Sequence, residues 1–251
     1  LLEGKANSEL SDRSWKLQLV IRLFWPLSAL GLSLWIFELS DIDLAIQDKI
    51  YDLGMRAWPV TKADHALRLI FYDAPNYGAA TIGVALFTAL LGSFRYKCLT
   101  RYRRHLAFGL VVLMLVPSLA SLGKSVTNVY CPLKLERYGG SEPYVRLFDA
   151  YPDAYIQGKP GRCFPAGHAS GWFAMMALFF VLKRRSWRIA GLFLGLAMGW
   201  ITGGYQMLIG AHFLSHTVAT MLLAWIICTM LDSLILNGPV RRSPWKFWSL
   251  P

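Results

Sequence analysis

Charge is scarce in this chain. Only 16% of its 251 residues are Asp, Glu, Lys or Arg, against about 25% in an ordinary soluble domain. A disordered, highly charged chain is thereby excluded. Four cysteines are too few for a disulfide-built mini-scaffold. No internal repeat and no low-complexity tract is present, so a solenoid is excluded as well. Acids are the scarcer charge, with 15 carboxylates against 26 Lys and Arg. What fills the space is apolar: 55% hydrophobic residues, 35 of all residues aromatic, and a mean hydropathy of +0.39. The formal net charge of +11 fits nucleic acid, anionic lipid or a membrane with sided loops, and the positions of the charges decide among them.

Six stretches approach the roughly 20 apolar residues that cross a bilayer, at 17–37, 74–94, 105–123, 165–182, 187–207 and 213–236. Six such stretches in so short a chain leave too little polar sequence to coat them as a soluble core. The reading is an all-α, polytopic membrane protein of one domain with six transmembrane helices. The chain opens on Leu1-Leu2 without an initiator Met, so a trimmed start is expected. The first stretch is too long for a signal-peptide core, and no small-residue cleavage pattern follows it, so it is expected to be retained.

Alternating the spans sorts the loops into two sides. One side holds 15 basic residues against Glu3, Glu9 and Asp12. Its cations are Lys5, Arg13 and Lys16, then Arg95, Lys97, Arg101, Arg103 and Arg104, then Lys183, Arg184, Arg185 and Arg188, then Arg241, Arg242 and Lys246. The other side, 38–73 and 124–164, holds ten basic and eleven acidic residues. The positive-inside rule makes the first side cytoplasmic, with both termini there. The cations thus sit in short loops beside the bilayer, with no separate module for nucleic acid, and membrane lipids are the expected surroundings. Arg22 and Asp232 lie in or at the end of spans and cancel. Residues 41–58 mix Ile42, Leu44, Ile46, Ile50, Leu53 and Met55 with charges, which predicts a helix on the outer interface. Residues 124–164 form an outer loop rich in Pro, Gly and Tyr, long enough to be functional.

Three clusters gather at the outer boundary. The first is Lys124 followed by Cys131-Pro132. The second runs from Gly161 and Arg162 through Pro165-Ala166-Gly167-His168. The third runs from Gln206 through His212 to His216. Three of the five histidines converge here, and ionisable residues at membrane depth are functional candidates by default. His168 opens a helix, where free N–H groups favour an anion. His212 and His216 are spaced to share a helix face. Lys124 and Arg162 can neutralise a phosphate, and a histidine can be a nucleophile or a general acid.

The pattern resembles the type-2 phosphatidic acid phosphatases, whose signature is K-x6-R-P, then P-S-G-H, then S-R-x5-H-x3-D. Lys124-x6-Cys131-Pro132 matches the first with Cys for Arg. Pro165-Ala166-Gly167-His168 matches the second with Ala for Ser. Gln206-x5-His212-x3-His216 matches the third with Gln for Arg and His for Asp. The spacings are intact, and the six-span layout and motif order also match.

The resemblance implies that His212 attacks phosphorus to form a phosphohistidine, that His168 protonates the leaving oxygen, and that His216 orients His212 as a neutral acceptor. Lys124, Arg162, Gly167 and Gln206 are the implied phosphate-binding residues. Cys131 and Gln206 carry no charge, so another cation must meet the equatorial oxygens of the phosphoryl group in flight. Arg162 is the nearest replacement in sequence, with Arg137 and Arg146 behind it. Ser170 is the candidate for the missing hydroxyl.

The implied function is hydrolysis of lipid phosphates or diphosphates, or phosphotransfer from them, without a metal or cofactor. Undecaprenyl diphosphate, phosphatidylglycerophosphate, phosphatidic acid and lipid A phosphates are candidate substrates. A zinc ion on His168, His212 and His216 would lack a convincing Cys or carboxylate to complete it. The alternative is a non-catalytic lipid-phosphate binder or transporter on the same scaffold. The implied location is a bacterial inner membrane with a periplasmic site. That compartment permits disulfides, and a Cys131–Cys163 bridge is expected to tie the first cluster to the second.

Overall fold

The computed structural model describes residues 2–61 and 63–237, with side chains from Trp15 onward. Leu1, Lys62, Arg241, Arg242 and Lys246 lie outside the described residues, and Lys5 and Arg13 are described in backbone only. The described chain is helical, with one isolated bridge between Leu135 and Glu142. Its helices are α1 (Leu2–Leu39), α2 (Ile42–Leu53), α3 (His65–Arg95), α4 (Lys97–Thr100), α5 (Arg103–Val126), α6 (Ser170–Val181), α7 (Arg185–Leu208) and α8 (Leu214–Leu236).

Four of them are long and apolar enough to cross a membrane: α1 from Trp15, α3, α5 and α8. The chain is therefore an integral membrane protein. The expected spans at 165–182 and 187–207 correspond to elements that each fall short of one criterion. Helix α6 has only 12 residues, with a 3-10 turn at Ala174–Ala177 in its middle. Helix α7 is long enough at 24 residues, but glycine dilutes its hydropathy. Those glycines have a packing reason: Gly191, Gly195, Gly199 and Gly203 recur every fourth residue and are largely buried. A Cβ on Gly199 would lie 2.3 Å from the Phe173 ring of α6, and one on Gly203 would lie 2.5 Å from Thr217 of α8.

Other boundaries moved for local reasons. The second span was expected at 74–94, but α3 starts nine residues earlier. Asp64 caps it by accepting from the Leu67 amide at 3.1 Å. A π-helical turn over Leu69–Asp73 precedes Pro75, which has no N–H to donate. The amphipathic stretch at 41–58 is helical only to Leu53. Gly54 ends it, and Met55 and Arg56 follow with φ of 54° and 63°. The fourth span was expected from 165, yet residues 164–169 form an irregular strap with a cis Phe164–Pro165 bond, and α6 starts at Ser170.

The core lies between α5, α6 and α8, where Phe108, Val112, Val116, Phe173, Met176, Ala224 and Ile227 are buried together. Helix α1 packs along α8, and α3 packs along α5. The outward faces carry large exposed apolar side chains, such as Trp25, Trp35 and Phe87, as lipid-facing helices do. Arg22 of α1 and Asp232 of α8 do more than cancel in a charge count. They pair at 2.5 Å, with a further bond from Arg22 to Ser233, which satisfies both charges between the two helices. A second, aromatic cluster of Tyr130, Tyr138 and Phe213 with Tyr51 and Trp58 covers one end of the bundle.

Candidate functional site

The strap from Phe164 to His168 is held from several sides. Thr127, at the end of α5, donates to Phe164 O at 2.6 Å. Thr220 of α8 donates to Ala166 O at 3.0 Å, and the Ala166 amide donates to His216 O at 3.2 Å. Pro165 lies against Gly123, where a Cβ would come within 2.7 Å of the ring. These bonds fix His168 beside the end of α5, which carries Lys124. Gly167 leaves room for that lysine: its missing Cβ would sit 3.4 Å from Lys124 Nζ.

The third cluster is a tight turn between α7 and α8. The amides of Ala211 and His212 both donate to Gln206 O. Gly210 takes φ of 68° under the Trp58 ring, and a Cβ there would meet that ring at 2.5 Å. Helix α2 clamps the turn. Gln47 donates to Met207 O at 3.0 Å, and Asp43 accepts from the Ser215 amide at 2.9 Å, capping the start of α8. Burial pushes the Asp43 carboxyl above its usual range, against the opposing effect of its Ser215 and Leu214 hydrogen bonds.

His212 precedes α8 rather than sharing a helix face with His216, because Phe213 is still extended at φ −81°, ψ 168°. The two rings nonetheless meet, with Nδ1 to Nδ1 at 3.3 Å. Nε2 is then the ring nitrogen of His212 outside that pair. His168 lies with its ring centroid 6.0 Å from that of His212, and its Nε2 is 3.1 Å from the Tyr72 hydroxyl.

A cavity of about 360 Å³ joins these groups. It is lined by His168, His212, Lys124, Cys131 and Gln206 from the three clusters, together with Arg68, Tyr72, Tyr205, Ile209 and Ala211. Burial holds His212 well below the ordinary histidine range, reinforced by His216, Lys124 and His168 nearby. The ring is therefore neutral at neutral pH.

Of the proposed replacement cations, Arg137 pairs with Asp48 at 2.6 Å and Arg146 with Asp41 at 2.8 Å. Arg162 is exposed, and neither it nor the other two line this cavity. Ser170 donates to Gly167 O of its own turn. Sequence reasoning missed Arg68 and Tyr72, which α3 brings to the cavity because it starts at His65. The Asp64 cap was the available signal.

Cys131 and Cys163 form a disulfide, with Cα atoms 5.2 Å apart. Cys163 Sγ also lies 3.6 Å from His212 Nδ1, so the bridge ties the first and second clusters against the third. Cys163, His212 and His216 are grouped within metal-ligand distance of one another, but a disulfide sulfur is not a thiolate ligand. With Cys163 bridged, two imidazoles remain, paired with each other. Closing a loop of this length is worth roughly 3–4 kcal/mol in the chain-entropy model. The Cys131→Ser, Cys163→Ser double variant is therefore expected to melt about 6–15 °C below the parent in detergent. An unchanged melting temperature would remove the bridge from the stability of the fold.

No curated protein and no solved structure matches the chain. The family model of the PAP2 superfamily matches residues 104–236, over half of the chain and all three clusters. The chain belongs to the PAP2 superfamily, a family of phosphatases that act on phosphate esters.

Proposed function

We propose that this protein is a membrane lipid-phosphate phosphatase or phosphotransferase working through a phosphohistidine on His212. The observation that carries the reading is His212 in one cavity with His168 and Lys124, its Nδ1 held from behind by His216. With Nδ1 taken by His216, the Nε2 lone pair of His212 attacks phosphorus. The bond from phosphorus to the lipid oxygen breaks, and that oxygen takes a proton from His168. Water then attacks the phosphohistidine, gives its proton to His168 and releases phosphate. A hydroxyl acceptor in place of water makes the same enzyme a phosphotransferase. Lys124 meets the phosphoryl charge, and no step calls for a metal.

The site lies at the outer boundary of a six-span protein, with α6 and α7 as the fourth and fifth spans and both termini cytoplasmic. The loop charges support that orientation, and the disulfide supports an oxidising compartment such as a bacterial periplasm. The uncharged Cys131 and Gln206 favour the second reading, a lipid-phosphate binder or transporter. Phosphate release by detergent-purified protein in EDTA, over a panel of lipid phosphates and diphosphates, separates the two. Release from at least one lipid supports the enzyme. Binding without release from any of them supports the carrier and overturns the enzyme.

A further inference from the structure

A phosphate dianion held by Lys124 alone would leave one of its two negative charges unmet in this cavity. Two positions that face this cavity, 131 and 206, are uncharged Cys and Gln. Among the described residues that line it, only Arg68 and Lys124 are Lys or Arg. We infer that Arg68 is the second phosphate-binding cation of this site, supplied by α3 from outside the three clusters and outside the family match at 104–236. The inference rests on the phosphatase reading for its substrate, and on cavity geometry for its location.

The local structure supports the role. The π-helical turn at Leu69–Asp73, a feature frequent at functional sites, directly follows Arg68 and contains Tyr72. Arg68 pairs with Asp73 through Nε at 3.4 Å. That leaves the two terminal nitrogens as the fork that takes phosphate oxygens in a bidentate grip. The guanidinium also lies 5.7 Å from the Tyr72 ring centroid. The Tyr72 hydroxyl in turn meets His168 Nε2. One helical turn therefore orders both the cation and the acid. The Arg68 side chain is 50% exposed, which puts it at the mouth of the cavity, where an incoming phosphate monoester or diphosphate meets it first. Arg137 and Arg146 are already committed to Asp48 and Asp41, so neither competes for this position.

The test compares the parent with Arg68→Ala, Arg68→Lys and Arg68→Ala/Gln206→Arg, with Lys134→Gln as the charge control on an exposed cation elsewhere. Turnover of a lipid phosphate and competitive inhibition by inorganic phosphate are both read. Loss of a charge-assisted contact predicts a kcat/KM lower by roughly 10–100-fold in Arg68→Ala. Phosphate inhibition should weaken in parallel, Arg68→Lys should recover part of both, and Gln206→Arg should recover activity in the double variant. Lys134→Gln should match the parent. Direct binding of inorganic phosphate gives the same comparison if no lipid is turned over, so failure of the phosphatase reading stays distinct from failure of this one. Should Arg68→Ala fail to fold, Arg68→Lys and Arg68→Gln carry the comparison. Phosphate affinity in the Arg68 variants within twofold of the parent, or an equal loss in Lys134→Gln, overturns the inference.

Discussion

Replacing His212 with Ala is expected to lower kcat/KM at least about ten-thousandfold, because it removes the proposed nucleophile. The side chain is 1% exposed and lines the cavity, so its loss leaves a binding site without a nucleophile. Parent protein quenched during turnover of a labelled lipid phosphate should carry label in an acid-labile, alkali-stable linkage. His212→Ala should carry none. The pH dependence follows from the burial of this ring. Attack needs neutral imidazole, and burial with cationic neighbours holds His212 well below the histidine norm of about 6.5. Protonation of the nucleophile therefore sets in only below the ordinary histidine range, and the acidic limb of kcat/KM is expected there. His216→Asp would place a carboxylate where a neutral ring now accepts, which raises the pKa of His212 and moves that limb upward. Turnover by His212→Ala at the parent rate would end the phosphohistidine proposal.

The two cavity histidines, His168 and His212, were legible in the sequence because they belong to clusters of fixed local spacing. Gln206-x5-His212 sits in a turn closed by short-range bonds from the Ala211 and His212 amides to Gln206 O, whereas the Pro165–His168 strap is held by bonds to Thr220 and His216 far along the chain. Arg68 was not legible. It precedes Lys124 by more than fifty residues and reaches the cavity only because α3 packs along α5. Hydropathy placed the start of α3 too late, at Ala74, just after the charged Asp73. The Asp64 cap starts the helix among polar residues. Glycine misled in the opposite sense. The residues that let α7 approach Phe173 and Thr217 also lower its hydropathy, so tight packing weakens its span signal. The i, i+4 spacing of His212 and His216 suggested contact on a helix, whereas the contact is made across an extended Phe213.

His168→Asn is expected to produce the second large loss, and its size should depend on the leaving group. Positioned general acids contribute about 10²–10⁴-fold, and that contribution is needed only when the departing oxygen is too basic to leave unprotonated. A lipid alkoxide is; p-nitrophenolate is not. Loss of His168 should therefore lower kcat/KM for a lipid phosphate by about 10²–10⁴-fold, while p-nitrophenyl phosphate retains most of its rate. His212→Ala should abolish both, because nucleophilic attack precedes either departure. The Tyr72 hydroxyl sits 3.1 Å from His168 Nε2, at the nitrogen that must face the leaving oxygen, so it keeps the acid turned toward the cavity until substrate arrives. Tyr72→Phe should then cost far less than His168→Asn, and with the same leaving-group dependence. Equal losses on both substrates in His168→Asn would assign this histidine to phosphate binding and leave the proton to another donor.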